Sequence, residues 1–244
     1  MPFIKVENLN KKFTIEATSH TTFKFLSGLL KKRNKSIMAL DKVNFRVEDG
    51  DCVGLIGDNG SGKTTLLRIL SGIYKKTSGS VKIEGKVATV IRLDSGLARE
   101  LTAKENIYLL GMILGLTKKE VKLKFHKMVK FAGIESFLNT PLKDFSSGMI
   151  ERLTFAVLAQ LEAEIYLFDE VFALGDIHFQ QKVFKVFKNL LRQKKTLIVI
   201  THDMDFVKKF CNKALLLKNG KVAKYGPSDK ILKYYHLLEE QNIH

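Results

Sequence analysis

The 244-residue chain contains no tryptophan and only three prolines, which excludes a long proline-rich linker. Its two cysteines, Cys52 and Cys211, lie in apolar stretches without metal-ligand spacing. They read as buried thiols of a reducing cytoplasm, not as a disulfide or a ligand pair. Long hydrophobic runs are missing too. The longest nearly apolar stretch, Ile107 to Leu116, has ten residues, two of them glycine, whereas a membrane-spanning helix needs about 20. The opening Met-Pro-Phe-Ile-Lys-Val-Glu lacks the apolar core of a secretory signal. No acidic residue occurs from Ala17 to Leu40, and no glutamine between Thr65 and Ala159.

The rest of the composition is that of an ordinary core-forming protein, 45% hydrophobic and 27% charged. The length allows one large α/β domain or two small lobes. A net charge of +16 suits a polyanionic partner, either nucleic acid or an anionic membrane surface, but is equally what solvated surface lysines produce.

Residues 57–64 read Gly-Asp-Asn-Gly-Ser-Gly-Lys-Thr, the pattern of a phosphate-binding loop. Gly57, Gly60 and Gly62 let the backbone turn tightly and aim successive N–H groups inward, with Asp58, Asn59 and Ser61 between them. A triphosphate carries more charge than one side chain can hold, so it needs such a nest. Lys63 reaches the β- and γ-phosphates, and Thr64 offers a hydroxyl to Mg²⁺. An apolar strand (52–56) precedes the loop, and a helical pattern starting at Thr65 follows it. The chain is therefore expected to bind a nucleoside triphosphate.

Alternation predicts an edge strand over 2–9 and further strands over 43–47, 51–56, 80–84 and 86–91. From Thr102 to about Leu161 the apolar spacing turns helical. An unbroken apolar strand, Ile165 to Phe168, then ends in Asp169-Glu170. A helix from about Phe179 to Leu191 leads to a second such strand, Thr196 to Ile200, which ends in Thr201-His202-Asp203. Short strands over 214–218 and 221–225 and a helix from Ser228 complete the chain. Fully apolar strands alternating with helices imply a parallel sheet covered on both faces. The expected fold is an α/β nucleotide-binding core with an inserted helical lobe at roughly 94–161.

Acids at the carboxyl end of a parallel strand are placed to hold Mg²⁺ beside a triphosphate, which suits Asp169. Glu170 would then project toward the γ-phosphate and polarise the attacking water. His202 is placed either to donate to a γ-phosphate or to be a surface histidine, and spacing does not separate the two. Ser146, Ser147 and Gly148 precede a helix whose N-terminus suits phosphate, although alone they form an ordinary helix start.

These motifs in this order (phosphate loop, Ser-Ser-Gly before a helix, Asp-Glu after a strand, Thr-His after the next) resemble the ATP-binding cassette (ABC) ATPases over the whole chain. The resemblance implies an ABC-type core with a mostly parallel sheet, an antiparallel β subdomain and an inserted α-helical subdomain. Residues 1–93 and 162–227 would form the core with its β subdomain, 94–161 the helical subdomain and 228–244 a C-terminal helix. It implies ATP and Mg²⁺ as ligands, with Thr65 also in the nucleotide site, and a head-to-tail homodimer with two shared sites. Ser147 and Gly148, with Ser146, would meet the partner copy's γ-phosphate. Glu170 would be the base, His202 the γ-phosphate switch and Phe13 the ring stacked on adenine. The stretch Ala173 to Asp176 would cross the dimer interface.

The sequence departs from the family at its signature, Phe-Ser-Ser-Gly-Met, and at the missing glutamine, where Asp94 is a chemical candidate. Ser-Ser-Gly-Met with Arg152-Leu153, and Asp-Glu-Val-Phe-Ala-Leu-Gly-Asp with Phe179 and Lys182, resemble one subgroup that exports lipid-linked O-antigen, capsule or wall teichoic acid. That resemblance implies a separate transmembrane permease and a peripheral position on the cytoplasmic face of the inner membrane. In the acid-free insertion, Phe23, Leu26, Leu29 and Leu30 would share a helix face beside Lys24, Lys31, Lys32, Arg33 and Lys35. Residues 20–36 thus suit either an anionic membrane surface or a solvated insertion. The alternatives are export of a drug or lipid, a soluble cassette ATPase acting on nucleic acid or ribosomes, and a nucleotide sensor without turnover. Nucleic acid is the less expected partner, because neither a second cassette nor a long coiled coil is encoded.

Overall fold

A computed structural model describes residues 1–15, 35–90, 96–170 and 176–241. Two sheets and a block of helices make up these residues. The larger sheet has six strands in the order β5-β6-β7-β3-β8-β9: β3 (Cys52–Ile56), β5 (Val87–Val90), β6 (Ile165–Asp169), β7 (Thr196–Ile200), β8 (Lys213–Lys218) and β9 (Lys221–Pro227). All neighbours pair parallel except β8 with β9. Every residue of β3 and β7 is buried, which is why these segments are apolar without alternation.

The smaller sheet is antiparallel, with β1 (Phe3–Ile15) between β2 (Lys35–Val47) and β4 (Ser78–Glu84). β1 is thus a central strand of 13 residues, not the expected edge strand over 2–9. Alternation reports which face is buried but not which edges are paired. Register breaks beyond Val6 bend the strand and let it continue to Ile15. Ile4, Val6, Leu9 and Leu40 of this sheet share one core with Val53, Leu55, Ile198 and Leu215 of the large sheet, and with Leu66 and Leu67 of α1 (Lys63–Leu70).

The opposite face of the large sheet is covered by α5 (Ile177–Arg192), α6 (Met204–Phe210) and α7 (Ser228–Gln241). α6 was not apparent from spacing; seven residues barely span two turns. The helical block holds α2 (Ala103–Ile113), α3 (Lys118–Ala132) and α4 (Ser147–Leu158), packed around Ile107, Met128 and Leu153. Reciprocal capping boxes, Thr102 with Glu105 and Thr117 with Glu120, start α2 and α3. Phe155 of α4 meets Phe179 and Val183 of α5, so the block packs onto the helix that follows β6. No helix among the described residues is long and apolar enough to cross a membrane.

The basic stretch 20–36 lies outside the described residues up to 34, and Lys35 and Ser36 already belong to β2. Asp94 and the stretch 171–175 lie outside them as well.

Candidate functional site

The carboxyl ends of β3, β6 and β7 lie side by side, and each opens into one of the motifs. β3 runs into the phosphate loop. Gly57 has φ 138° and Gly62, the N-cap of α1, has φ 106°, both closed to ordinary side chains. A Cβ at Gly57 would stand 2.1 Å from the Leu217 carbonyl oxygen, and one at Gly62 would stand 2.7 Å from that of Ala39. The loop therefore nests against β8 and β2 in a way only glycine permits. Its fold is further fixed by Ser61 N–H donating to Asp58 O (3.2 Å) and Gly220 N–H donating to Ser61 O (2.9 Å). Asp58, Asn59 and Gly60 form its exposed crest.

Three features suit the loop to an anion. The first helical hydrogen bond of α1 runs from Leu66 N–H to Gly62 O, so the N–H groups of Lys63, Thr64 and Thr65 have no intrahelical acceptor. Ser61 Oγ is buried and has no hydrogen-bond partner among the described residues. Lys63 is 6% exposed, and its ammonium group donates to Gly57 O (2.6 Å) and Asp58 O (2.9 Å). Burial pushes its pKa down, while the charges of Glu170, Asp58 and Asp169 oppose that shift. A buried ammonium resting on two carbonyls has room for a stronger anionic partner.

Asp169 ends β6 opposite Ile200 of β7. Glu170, the next residue, has a left-handed backbone (φ 54°), a conformation non-glycine residues rarely hold. Its N–H donates to Ile200 O (3.0 Å), which pins the turn. Its Oε1 lies 3.1 Å from Nε2 of His202, and both side chains remain more than half exposed. The sequence assigned these two residues separately; their direct contact was not visible, because it depends on β6 and β7 being neighbours.

The remaining candidates lie elsewhere. Ser146 is the N-cap of α4, accepting from Met149 N–H (3.3 Å), and Ser147 and Gly148 open that helix. No hydrogen bond or ion pair joins these three residues to the phosphate loop among the described residues. Asp176 caps α5, accepting from His178 N–H (2.9 Å) and Phe179 N–H (3.0 Å). Its other oxygen pairs with Arg152 of α4, and both oxygens are thereby engaged. Phe13, near the far end of β1, packs edge-on against Tyr74 (5.6 Å between centroids) with the Lys11 ammonium 4.6 Å over its ring. Tyr74 and Lys11 were not singled out from the sequence, and no motif marks them.

Comparison with known proteins agrees with this geometry. A family model described as ABC transporter matches residues 40–173. The chain is 36% identical over 203 residues to the O-antigen export system ATP-binding protein RfbB of Klebsiella pneumoniae, covering 83% of this chain and 82% of that one. It is 36% identical to the teichoic acids export ATP-binding protein TagH of Lactococcus lactis, covering 95% of this chain but 50% of the relative. Among solved structures, the dimeric post-hydrolysis state of the ATP-binding cassette MJ0796 bound to ADP and Pi superposes with a TM-score of 0.73 at 25% identity, over 92% of this chain and 98% of that one. An ATP-binding subunit of an ABC transporter superposes at 0.74 with 22% identity over 99% and 98% of the two chains, a likeness of fold alone.

Proposed function

Because the chain belongs to the ABC transporter ATPases, we propose that it is the nucleotide-binding subunit of an exporter for a lipid-linked cell-surface polysaccharide of the O-antigen, teichoic acid or capsule type. One observation carries the choice of cargo. Relatives named for O-antigen export and for teichoic acid export each share 36% identity with most of this chain.

In this reading ATP lies with its phosphates in the loop at 57–64 and its adenine beside Phe13. Lys63 leaves the carbonyls of Gly57 and Asp58 for the β- and γ-phosphate oxygens, and Ser61 Oγ and the first N–H groups of α1 take the remaining charge. Mg²⁺ held by the Thr64 hydroxyl and Asp169 would neutralise part of the triphosphate. Glu170 orients a water whose oxygen attacks the γ-phosphorus and takes its proton, while the bond to the β-phosphate oxygen breaks. His202, in contact with the Glu170 carboxylate, holds it toward the site. The likeness to dimeric ATP-binding cassettes supports a composite site, in which Ser147 and Gly148 are supplied by a second copy. Asp176, anchored to Arg152, would set the edge of that interface.

Two copies would dock beneath a separate membrane-spanning pair on the cytoplasmic face of the membrane, with ATP closing the dimer and hydrolysis reopening it. The +16 charge supports a place near anionic headgroups, and residues 20–36 are the proposed contact.

The test is co-production with a candidate transmembrane permease, in cells that make the glycan but cannot export it. Surface glycan is expected with the native chain and not with Lys63→Ala. Export of a drug or lipid substrate instead, with glycan left inside, would overturn the cargo.

A further inference from the structure

On the face of the sheet away from β1, α5 and α6 leave an open groove of about 500 Å³ between them. Its floor is aromatic. Phe206 is buried and lies tilted against Phe210 at 5.0 Å and Phe184 at 6.1 Å, centroid to centroid. Phe184 and Phe210 are only half-buried and present their outer edges to the groove. The rim at the Phe210 end is basic. Lys188 and Lys209 hold their ammonium groups 6.0 and 5.5 Å from the same Phe210 ring, and Lys185 stands beside them in the lining. None of the three finds a carboxylate within ion-pair reach among the described residues. At the other end lie Asp203 and Asp205.

Cations drawn together over one ring repel each other unless an anion joins them. The half-buried rings of Phe184 and Phe210 at the foot of this cluster have apolar surface left to bury. The groove shares no residue with the phosphate loop, nor with Asp169, Glu170 or His202. It is therefore a second surface, independent of the proposed cargo.

We propose that this groove docks an acidic amphipathic segment of another protein, with its apolar side on Phe184 and Phe210 and its carboxylates against Lys185, Lys188 and Lys209. Charge complementarity selects this occupant. A phosphate-bearing lipid or nucleotide would be drawn to the lysines but repelled by Asp205 along the same trough. A peptide can place acids at one end and a base at the other, and so match both. The groove is a trough between two helices rather than an enclosed pocket, the form that receives a helix laid lengthwise.

A labelled peptide of about four helical turns, with leucine and phenylalanine on one face, acids on the other and a lysine at one end, would be titrated against the full chain by fluorescence anisotropy. A scrambled peptide of the same composition and anionic phospholipid vesicles serve as comparisons. The native chain should bind the amphipathic peptide at least about tenfold more tightly than its scrambled isomer. K185E/K188E/K209E should lose at least about tenfold in affinity while its ATPase rate stays unchanged. Hydrogen exchange should slow along α5 and α6 when the peptide binds. Equal binding of the scrambled peptide, or an unaltered affinity in the triple variant, would overturn the proposal. So would vesicle binding that depends on these lysines without peptide binding, since the surface would then face a membrane.

Discussion

His202 Nε2 lies 3.1 Å from Glu170 Oε1, a contact across the ends of two neighbouring parallel strands. It joins the proposed base to the histidine proposed to hold it toward the site. The left-handed backbone at Glu170 aims the carboxylate there, and the hydrogen bond to Ile200 O holds that backbone in place. Such strain persists only where the surroundings over-determine it.

Glu170→Gln should therefore keep ATP binding and lower turnover by about 10²–10⁴-fold, the usual worth of a positioned general base. The amide keeps the shape and an acceptor for His202 but cannot take a proton. Phosphate release and equilibrium ATP binding measured on the same preparation would check it. The variant should also accumulate as an ATP-bound dimer in size-exclusion chromatography. Turnover equal to that of the native chain would remove Glu170 from this role.

Much of this was legible in the chain itself, for reasons that differ by element. The phosphate loop is visible because eight consecutive residues must each meet a local demand, and Gly57 and Gly62 meet theirs at φ values few other residues accept. β6 and β7 are visible because burial on both faces leaves them apolar apart from the terminal Asp169 and Thr196. Strand order is not local, so neither the central place of β1 nor the Glu170–His202 contact could be read. The engagement of Asp176 by Arg152 spans 24 residues and two helices, and nothing in either segment announces it. Cys52 and Cys211 are buried, as their apolar surroundings imply. That their sulfurs lie 3.4 Å apart depends on how β3 meets the end of α6.

Asp51 anchors the other end of β3, and its pH response follows from its partners. The residue is 6% exposed. Its carboxylate accepts from Lys213 Nζ (2.7 Å), Asn212 Nδ2 (2.8 Å) and Glu48 N–H (2.8 Å). Burial pushes its pKa up, but these donors outweigh burial and hold it below the ordinary 3.8. The unfolded chain therefore takes up this proton at a higher pH than the folded one. The stabilisation is fully present above 3.8 and is lost as pH falls through the lower folded value. Asp51→Asn should cost about 2 kcal/mol at neutral pH, as expected for hydrogen bonds to a buried charge. That deficit should stay level down to about pH 5 and shrink below about pH 4. Urea unfolding of both proteins across this range measures it, and a deficit independent of pH would refute it.

Arg152 and Asp176 tie the helical block to α5, and two substitutions at Asp176 separate its two tasks. Asparagine caps helices as well as aspartate does, so Asp176→Asn removes only the charge that holds Arg152. Its melting temperature should barely change, because an exposed ion pair contributes little. Asp176→Ala also strips the cap from His178 and Phe179 N–H and should melt about 2–4 °C lower. If Arg152 positions the proposed dimer edge, both variants and Arg152→Met should lose ATPase activity alike despite their different stabilities. Activity that instead follows melting temperature would make the pair purely structural.

The proposed composite site admits a test that needs no structure of the dimer. Lys63→Ala disables the phosphate loop of its own chain, and Ser147→Arg obstructs the N-terminus of α4. In a head-to-tail pair of unlike variants, one site combines both defects and the other combines an intact loop with an intact Ser147. Each variant alone has no intact site, so each alone should be inactive. Mixed in equal amounts and allowed to exchange, half the dimers are unlike pairs with one working site of two, and about a quarter of native turnover should return. If each chain instead completes its own site, Lys63 and Ser147 are never intact in one molecule, and mixing restores nothing. The rate of phosphate release against mixing ratio thus distinguishes a shared nucleotide from one enclosed by a single copy.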